Sequence, residues 1–115
     1  MSVLTIRGYK RYAMRLPVEV VQDGRKAASG LLIELSQQGA RLSNLLRNEY
    51  DVGDQLMLVT PFGKEMPATV RWAHDGVAGV RLDRPLHLPE MSEMVEANRS
   101  RDLHSGNETT VRYGT

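Results

Sequence analysis

No cysteine occurs among the 115 residues, which excludes disulfides, thiolate metal sites and thiol nucleophiles together. Aromatics are scarce: four Tyr, one Trp and one Phe. Proteins that gather single-stranded nucleic acid stack successive bases on aromatic rings, and six scattered rings offer little for that purpose. Neither sign of charge dominates, with 15 Lys plus Arg against 14 Asp plus Glu and a formal net charge of +1. A general nucleic-acid binder rests on many phosphate contacts, so this balance argues against one. No apolar run approaches the ~18 residues of a membrane helix. The opening MSVLTIRGYKRYAMR lacks an apolar segment ahead of a small-residue cleavage site. Neither a membrane segment nor a secretory signal is expected, and a cytoplasmic protein fits.

Catalytic patterns are also missing. There is no GxGxxG, P-loop or nucleophile elbow. The histidines, His74, His87 and His104, stand far apart and not at ligand spacing. No catalytic residue, metal ligand or cofactor is assigned, and an enzyme is not expected.

What is present is one domain's length, with 41% hydrophobic and 25% charged residues. The most informative stretch is LLIELSQQGARL, residues 31–42. With period two, Leu31, Ile33 and Leu35 fall on one apolar face, and Leu32, Glu34 and Ser36 on the other. Gly39 supplies a position without a Cβ, where a turn tightens or a flat ligand approaches the main chain. Ala40 and Leu42 resume the alternation. The stretch is predicted as strand, tight turn and strand, with a carboxylate, a hydroxyl and bare backbone at the turn. Such a set can receive the donor edge of a polar ring. The plainer reading is a hairpin whose serine caps its own turn and whose glutamate is solvated.

Ahead of it, residues 1–15 carry Arg7, Lys10, Arg11 and Arg15 and no acid, with Tyr9 and Tyr12 interleaved. This basic arm is either a solvated terminus or a set of guanidinium groups for an anionic phosphate. Leu16-Pro17 stops any helix, and residues 18–22 read as a strand with Val18 and Val20 inward. Asp23-Gly24 is a hairpin signal. The return strand runs from Arg25 to Ser36, with Gly30 marking a bulge or bend. Residues 43–54 are a connector anchored by Leu45 and Leu46. Residues 55–60 form the next strand, Pro61-Phe62-Gly63-Lys64 is turn chemistry, and residues 66–74 follow with Met66, Ala68, Val70 and Trp72 on one side. Trp72 is taken as core. Asp75-Gly76 repeats the hairpin signal before a strand over 77–82. Met91, Met94 and Val95 at i, i+3, i+4 predict an amphipathic helix over about 89–99. Residues 100–115 are polar and expected to be disordered. Short strands with turns and one late helix point to a small antiparallel barrel.

Two of these segments together resemble a known family. Arg11-Tyr12-Ala13-Met14-Arg15 matches the RxxxR motif of PilZ domains. Glu34-Leu35-Ser36-Gln37-Gln38-Gly39 sits where that family carries [D/N]xSxxG. Val70-Arg71-Trp72 followed by Val77-Ala78-Gly79-Val80-Arg81-Leu82 resembles the family's closing strand pair. The resemblance spans roughly residues 9–98. It implies a mainly β fold, a six-stranded antiparallel barrel with a C-terminal α-helix, and a non-catalytic receptor for the bacterial second messenger cyclic di-GMP. With the basic arm (1–15) and the polar tail (100–115) read from composition, the PilZ-like barrel and closing helix are expected over 16–99. The resemblance implies that Arg11 and Arg15 clamp phosphates and guanines, that Lys10 adds charge, and that Ser36 and Gly39 meet a guanine through hydroxyl and backbone. Glu34 departs from the family's Asp or Asn by one methylene, keeping the charge of the acid.

The expected mechanism is ordering of the arm over bound ligand, which changes the surface offered to an unidentified effector protein. The alternatives are a PilZ-like protein that has lost nucleotide binding and acts through protein contacts, and a barrel for single-stranded nucleic acid.

Overall fold

The computed structural model describes residues 10–45 and 50–113, with side chains to residue 100. Six strands, β1 (Tyr12–Val21), β2 (Ala28–Leu35), β3 (Gly39–Ser43), β4 (Gln55–Val59), β5 (Glu65–His74) and β6 (Val77–Leu82), precede one helix, α1 (Leu88–Tyr113). The strands close into an antiparallel barrel in the order β1-β2-β3-β6-β5-β4, so no sheet edge is left running the length of the fold. The expected fold class is the observed one.

Strict alternation builds the wall. Met14, Leu16, Val18 and Val20 of β1, Leu56 and Leu58 of β4, and Met66, Ala68 and Val70 of β5 all point inward and are buried. The two Asx-Gly signals are turns as read. Gln22 accepts from the Arg25 amide at 3.0 Å across Asp23-Gly24. Asp75 and Gly76 both have positive φ (53° and 77°), the backbone a two-residue hairpin demands.

Several boundaries differ from the sequence reading. β1 begins at Tyr12, not at residue 18, so residues 12–15 of the expected arm are strand; residues 1–9 lie outside the described residues. Pro17 does not end the strand, because β4 pairs with β1 only at Glu19–Val21 and Pro17 has a partner on the β2 side alone. β2 starts at Ala28 rather than Arg25. Gly30 is in register opposite Val18, not at a bulge. Its missing Cβ makes room for Leu45, whose Cδ2 would lie 3.0 Å from one. Leu45 anchors the connector as expected, while Leu46 falls outside the described residues. Tyr50, which the sequence did not single out, is also buried, and its hydroxyl pKa is raised chiefly by that burial.

Two strands also face differently from what their alternation predicts. Between β2 and β3 the register slips at Ile33, and between β5 and β6 it slips at Arg71. Each slip is a bulge that resets the side-chain alternation beyond it. Hence Leu32 and Leu35 are the fully buried residues of β2, while Leu31 and Ile33 are only partly covered. The same effect turns Trp72 out of the core: Met66, Ala68 and Val70 are buried, but Trp72 is 36% exposed.

Helix α1 closes the barrel with Met91 and Met94 buried in the core, as its i, i+3 spacing predicted. It continues to Tyr113, past the expected end near residue 99 and through most of the segment expected to be disordered. His87 caps its start: the His87 carbonyl accepts from the Met91 amide (2.9 Å), and Glu90 Oε1 accepts from the His87 amide (2.8 Å). Glu90 Oε2 also takes Lys64 Nζ at 2.9 Å, tying the β4–β5 turn to the helix. The His87 amide, then Lys64, hold the Glu90 carboxyl below the usual carboxylate range. A depressed folded pKa stabilises above the unfolded value and is lost as pH falls through the folded one. Glu90→Gln is therefore expected to lower the melting temperature at neutral pH, with the difference from wild type shrinking in melts run at progressively more acid pH.

Candidate functional site

The turn after β2 is held by its own serine. The Ser36 amide donates to the Gly39 carbonyl at 2.9 Å, and Ser36 Oγ accepts from the Gly39 amide at 3.1 Å. The turn-capping role for Ser36 is thus what the structure shows. Glu34 is not merely solvated. Its carboxylate stands between two guanidinium groups, 3.5 Å from Arg41 Nε and 3.9 Å from Arg11 Nη1. Gly39 has no positive φ. Its requirement is steric, since a Cβ would lie 3.0 Å from the Val80 carbonyl of β6.

The bulges assemble a row across five strands. Ala13 pairs with Glu34, Glu34 with Arg41, Arg41 with Gly79, and Gly79 with Trp72. Residues paired in this way share a face, here the outward one. Because Gly79 has no side chain, the Trp72 indole lies down on it: a Cβ there would come within 2.3 Å of Trp72 Nε1. Arg41 sits 5.8 Å from the centre of the same indole, within cation–π range, and His74 stacks on it at 5.2 Å between centroids.

The result is a cleft of about 340 Å3 lined by Arg11, Glu34, Ser36, Gly39, Arg41, Arg71 and Trp72, with Ala40, Gly79 and Val80 as its floor. That volume lies in the ordinary range for small-molecule sites, ~300–1,000 Å3. Three guanidinium groups face one carboxylate, leaving an excess of positive charge beside a flat indole. This chemistry suits an anionic ligand carrying a planar ring. The ion pairs are long and their arginines well exposed, and pairs open to solvent contribute only ~0.2–1 kcal/mol. A ligand can exchange them at small cost.

Of the six residues singled out in the sequence, Arg11, Glu34, Ser36 and Gly39 meet in this cleft. Arg15 stands outward on β1, two positions along from Ala13, and is not among the lining residues. Lys10 lies 5.4 Å over the Tyr12 ring and does not line the cleft either. The sequence reading missed Arg41, Arg71, Trp72 and Gly79 as site residues. Period two placed Arg41 outward and could have flagged it. A glycine inside a strand signals close approach, but nothing in the sequence names Trp72 as what approaches Gly79. Among the described residues no group of three or more His, Asp or Glu is placed to hold a metal ion. No helix there is long and apolar enough to cross a membrane.

The family model for the PilZ domain matches residues 5–98. This chain belongs to the PilZ family. PilZ domains are a receptor family for cyclic di-GMP. Among solved structures, the PilZ domain of CeSA from a cellulose-synthesizing bacterium superposes with a TM-score of 0.58. It is 21% identical, over 81% of this chain and 98% of that one. The Bacillus subtilis inhibitor of motility (MotI/DgrA) superposes equally well, TM-score 0.58, at 16% identity over 84% of this PilZ chain and 50% of its own length. At these identities the likeness concerns the fold. No curated protein sequence gives a significant match.

Proposed function

We propose that this PilZ chain is a non-catalytic, cytoplasmic receptor for cyclic di-GMP, binding it in the cleft lined by Arg11 and by residues of β2, β3, β5 and β6. The observation that carries this reading is the convergence of Arg11, Glu34, Ser36 and Gly39, which come from two separated sequence motifs, on one cleft. The ligand has two phosphates and two guanines. Guanidinium groups serve both, forking onto phosphate oxygens or onto guanine O6 and N7. Arg11 leaves its 3.9 Å contact with Glu34 for a phosphate, and Arg15 and Lys10 approach the ligand from the β1 side. Arg41 and Trp72 offer a stacking wall for one guanine. Glu34 accepts from the guanine N1 and N2 donors, while Ser36 and Gly39 hold the turn that presents it. The signal is relayed as the basic segment ending at Arg11 closes on the ligand and alters the surface met by an effector protein.

Calorimetric titration with cyclic di-GMP, beside a control dinucleotide and a short oligonucleotide, tests the assignment. Heat with cyclic di-GMP alone supports it, heat with none of the three favours a purely protein-binding PilZ domain, and heat with the oligonucleotide favours nucleic acid. Glu34 gives a finer test. Glu34→Asp is expected to keep or raise affinity, and Glu34→Ala to lower it about tenfold, because an unpaired guanine donor in a partly desolvated site costs on the order of 1–3 kcal/mol. Equal affinity of all three proteins would remove Glu34 from the site.

A further inference from the structure

We infer that Asn98 of α1 is a positioning residue for the ligand site, and that cleft occupancy and docking of α1 are thereby coupled. The inference rests on the ligand reading above. At the irregularity of β1 between Ala13 and Leu16, Arg15 has no ladder partner in the pairings with β2 or β4. Its amide donates instead to Asn98 Oδ1 at 2.9 Å, 83 residues away in the chain. Asn98 is only 7% exposed, so this is a buried side chain spent on one strand residue, and that residue is the second arginine of the RxxxR motif. A bulge leaves a residue outside the ladder and re-aims the side chains beside it. The Asn98 bond holds the Arg15 backbone at this irregularity, and with it the direction in which the Arg15 side chain leaves β1.

The second motif is tied to the same helix. Gln37, inside the Ser36–Gly39 turn, donates from Nε2 to the Leu86 carbonyl at 2.9 Å, and its own carbonyl accepts from the Leu86 amide at 2.8 Å. Leu86 is buried and stands two residues before α1. Both motifs are therefore hydrogen-bonded to α1 or to the residues leading into it, one at its root and one in its third turn. A ligand held by both motifs favours the backbone that keeps these bonds, so it favours the docked helix. Linkage makes the effect reciprocal: a helix held in place favours the ligand by the same factor. Because α1 continues beyond Asn98 to Tyr113, the helix offers an effector a second surface that cleft occupancy biases, beside the closing basic segment.

Two measurements on the full chain test this. In the first, cyclic di-GMP is titrated into wild type, Asn98→Ala and Asn98→Asp. Loss of the acceptor is expected to raise Kd about tenfold, inside the usual range of coupling factors. Asp, which keeps an oxygen at the same place, is expected to restore affinity to within about threefold of wild type. In the second, amide hydrogen exchange over residues 91–99 is followed in wild type alone, with and without cyclic di-GMP, and is expected to slow severalfold with ligand. Should Asn98→Ala fail to fold by circular dichroism, the wild-type exchange decides by itself. Asn98→Ala binding as wild type does, or α1 exchange indifferent to a ligand that binds, overturns the coupling while leaving the receptor reading intact. No binding by wild type overturns both.

Discussion

Arg11→Ala and Arg15→Ala are each expected to weaken cyclic di-GMP binding by about ten- to a hundredfold while leaving melting of the free protein nearly unchanged. A charge-assisted fork to phosphate or guanine contributes on the order of 1–3 kcal/mol, which is that range in affinity. Stability should be spared for a different reason at each position. Arg11 precedes β1, is well exposed, and among the described residues its ion pair is the long 3.9 Å contact with Glu34. Arg15 lies within β1 but points outward, and its structural bond to Asn98 comes from the backbone amide, which alanine keeps. Arg15 is the more revealing of the two, because it stands beside the cleft rather than among its lining residues. If Arg11→Ala loses affinity and Arg15→Ala does not, the clamp is built from Arg11, Arg41 and Arg71 instead. If both variants bind as wild type does, the clamp assignment is wrong. Paired calorimetry and thermal melts read both quantities.

A second large effect is expected at Trp72, the only tryptophan in the chain, so its fluorescence reports the cleft alone. Stacking of a guanine on the indole should quench that emission on titration with cyclic di-GMP, and Trp72→Ala should lower affinity by roughly 1–3 kcal/mol, the usual worth of one base–aromatic stack. Gly79→Ala tests the seat rather than the ring. Its Cβ would meet the indole at 2.3 Å, so Trp72 must swing off the β6 backbone. The ring is already partly exposed, and leaving its seat therefore disturbs the core little. The expected result is a fold close to wild type, a red-shifted emission, loss of the ligand-induced quenching and an affinity reduced about as much as by Trp72→Ala. Quenching and affinity unchanged in Gly79→Ala would show that the seat does not orient the ring for the ligand.

Much of the barrel was legible in the sequence because alternation and turn chemistry act over a few residues. Val18 and Val20 facing inward, the Asp23-Gly24 and Asp75-Gly76 turns and the Met91–Met94 face of the helix follow from local periodicity and backbone sterics. Half of the cleft was legible for another reason. Arg11, Glu34, Ser36 and Gly39 lie in two short motifs whose residue types bespeak anion and ring recognition, and each motif is contiguous.

The rest depended on pairing between strands distant in the chain. Nothing in LLIEL announces a bulge at Ile33, and nothing in VRWAH announces one at Arg71; a bulge exists only relative to the strand across from it. Each reset the alternation by one residue and reversed an assignment: Leu32 moved into the core, and Trp72 moved out of it onto Gly79, beside Arg41. The Arg15–Asn98 bond spans 83 residues, and no periodicity carries information over that distance. The sequence by itself determined a small barrel with a closing helix and a two-motif signature, because those follow from short-range alternation and residue chemistry. Only the tertiary structure decided which side chains share the cleft and how the helix is tied to both motifs, because register and bulges are properties of paired strands and not of any one of them.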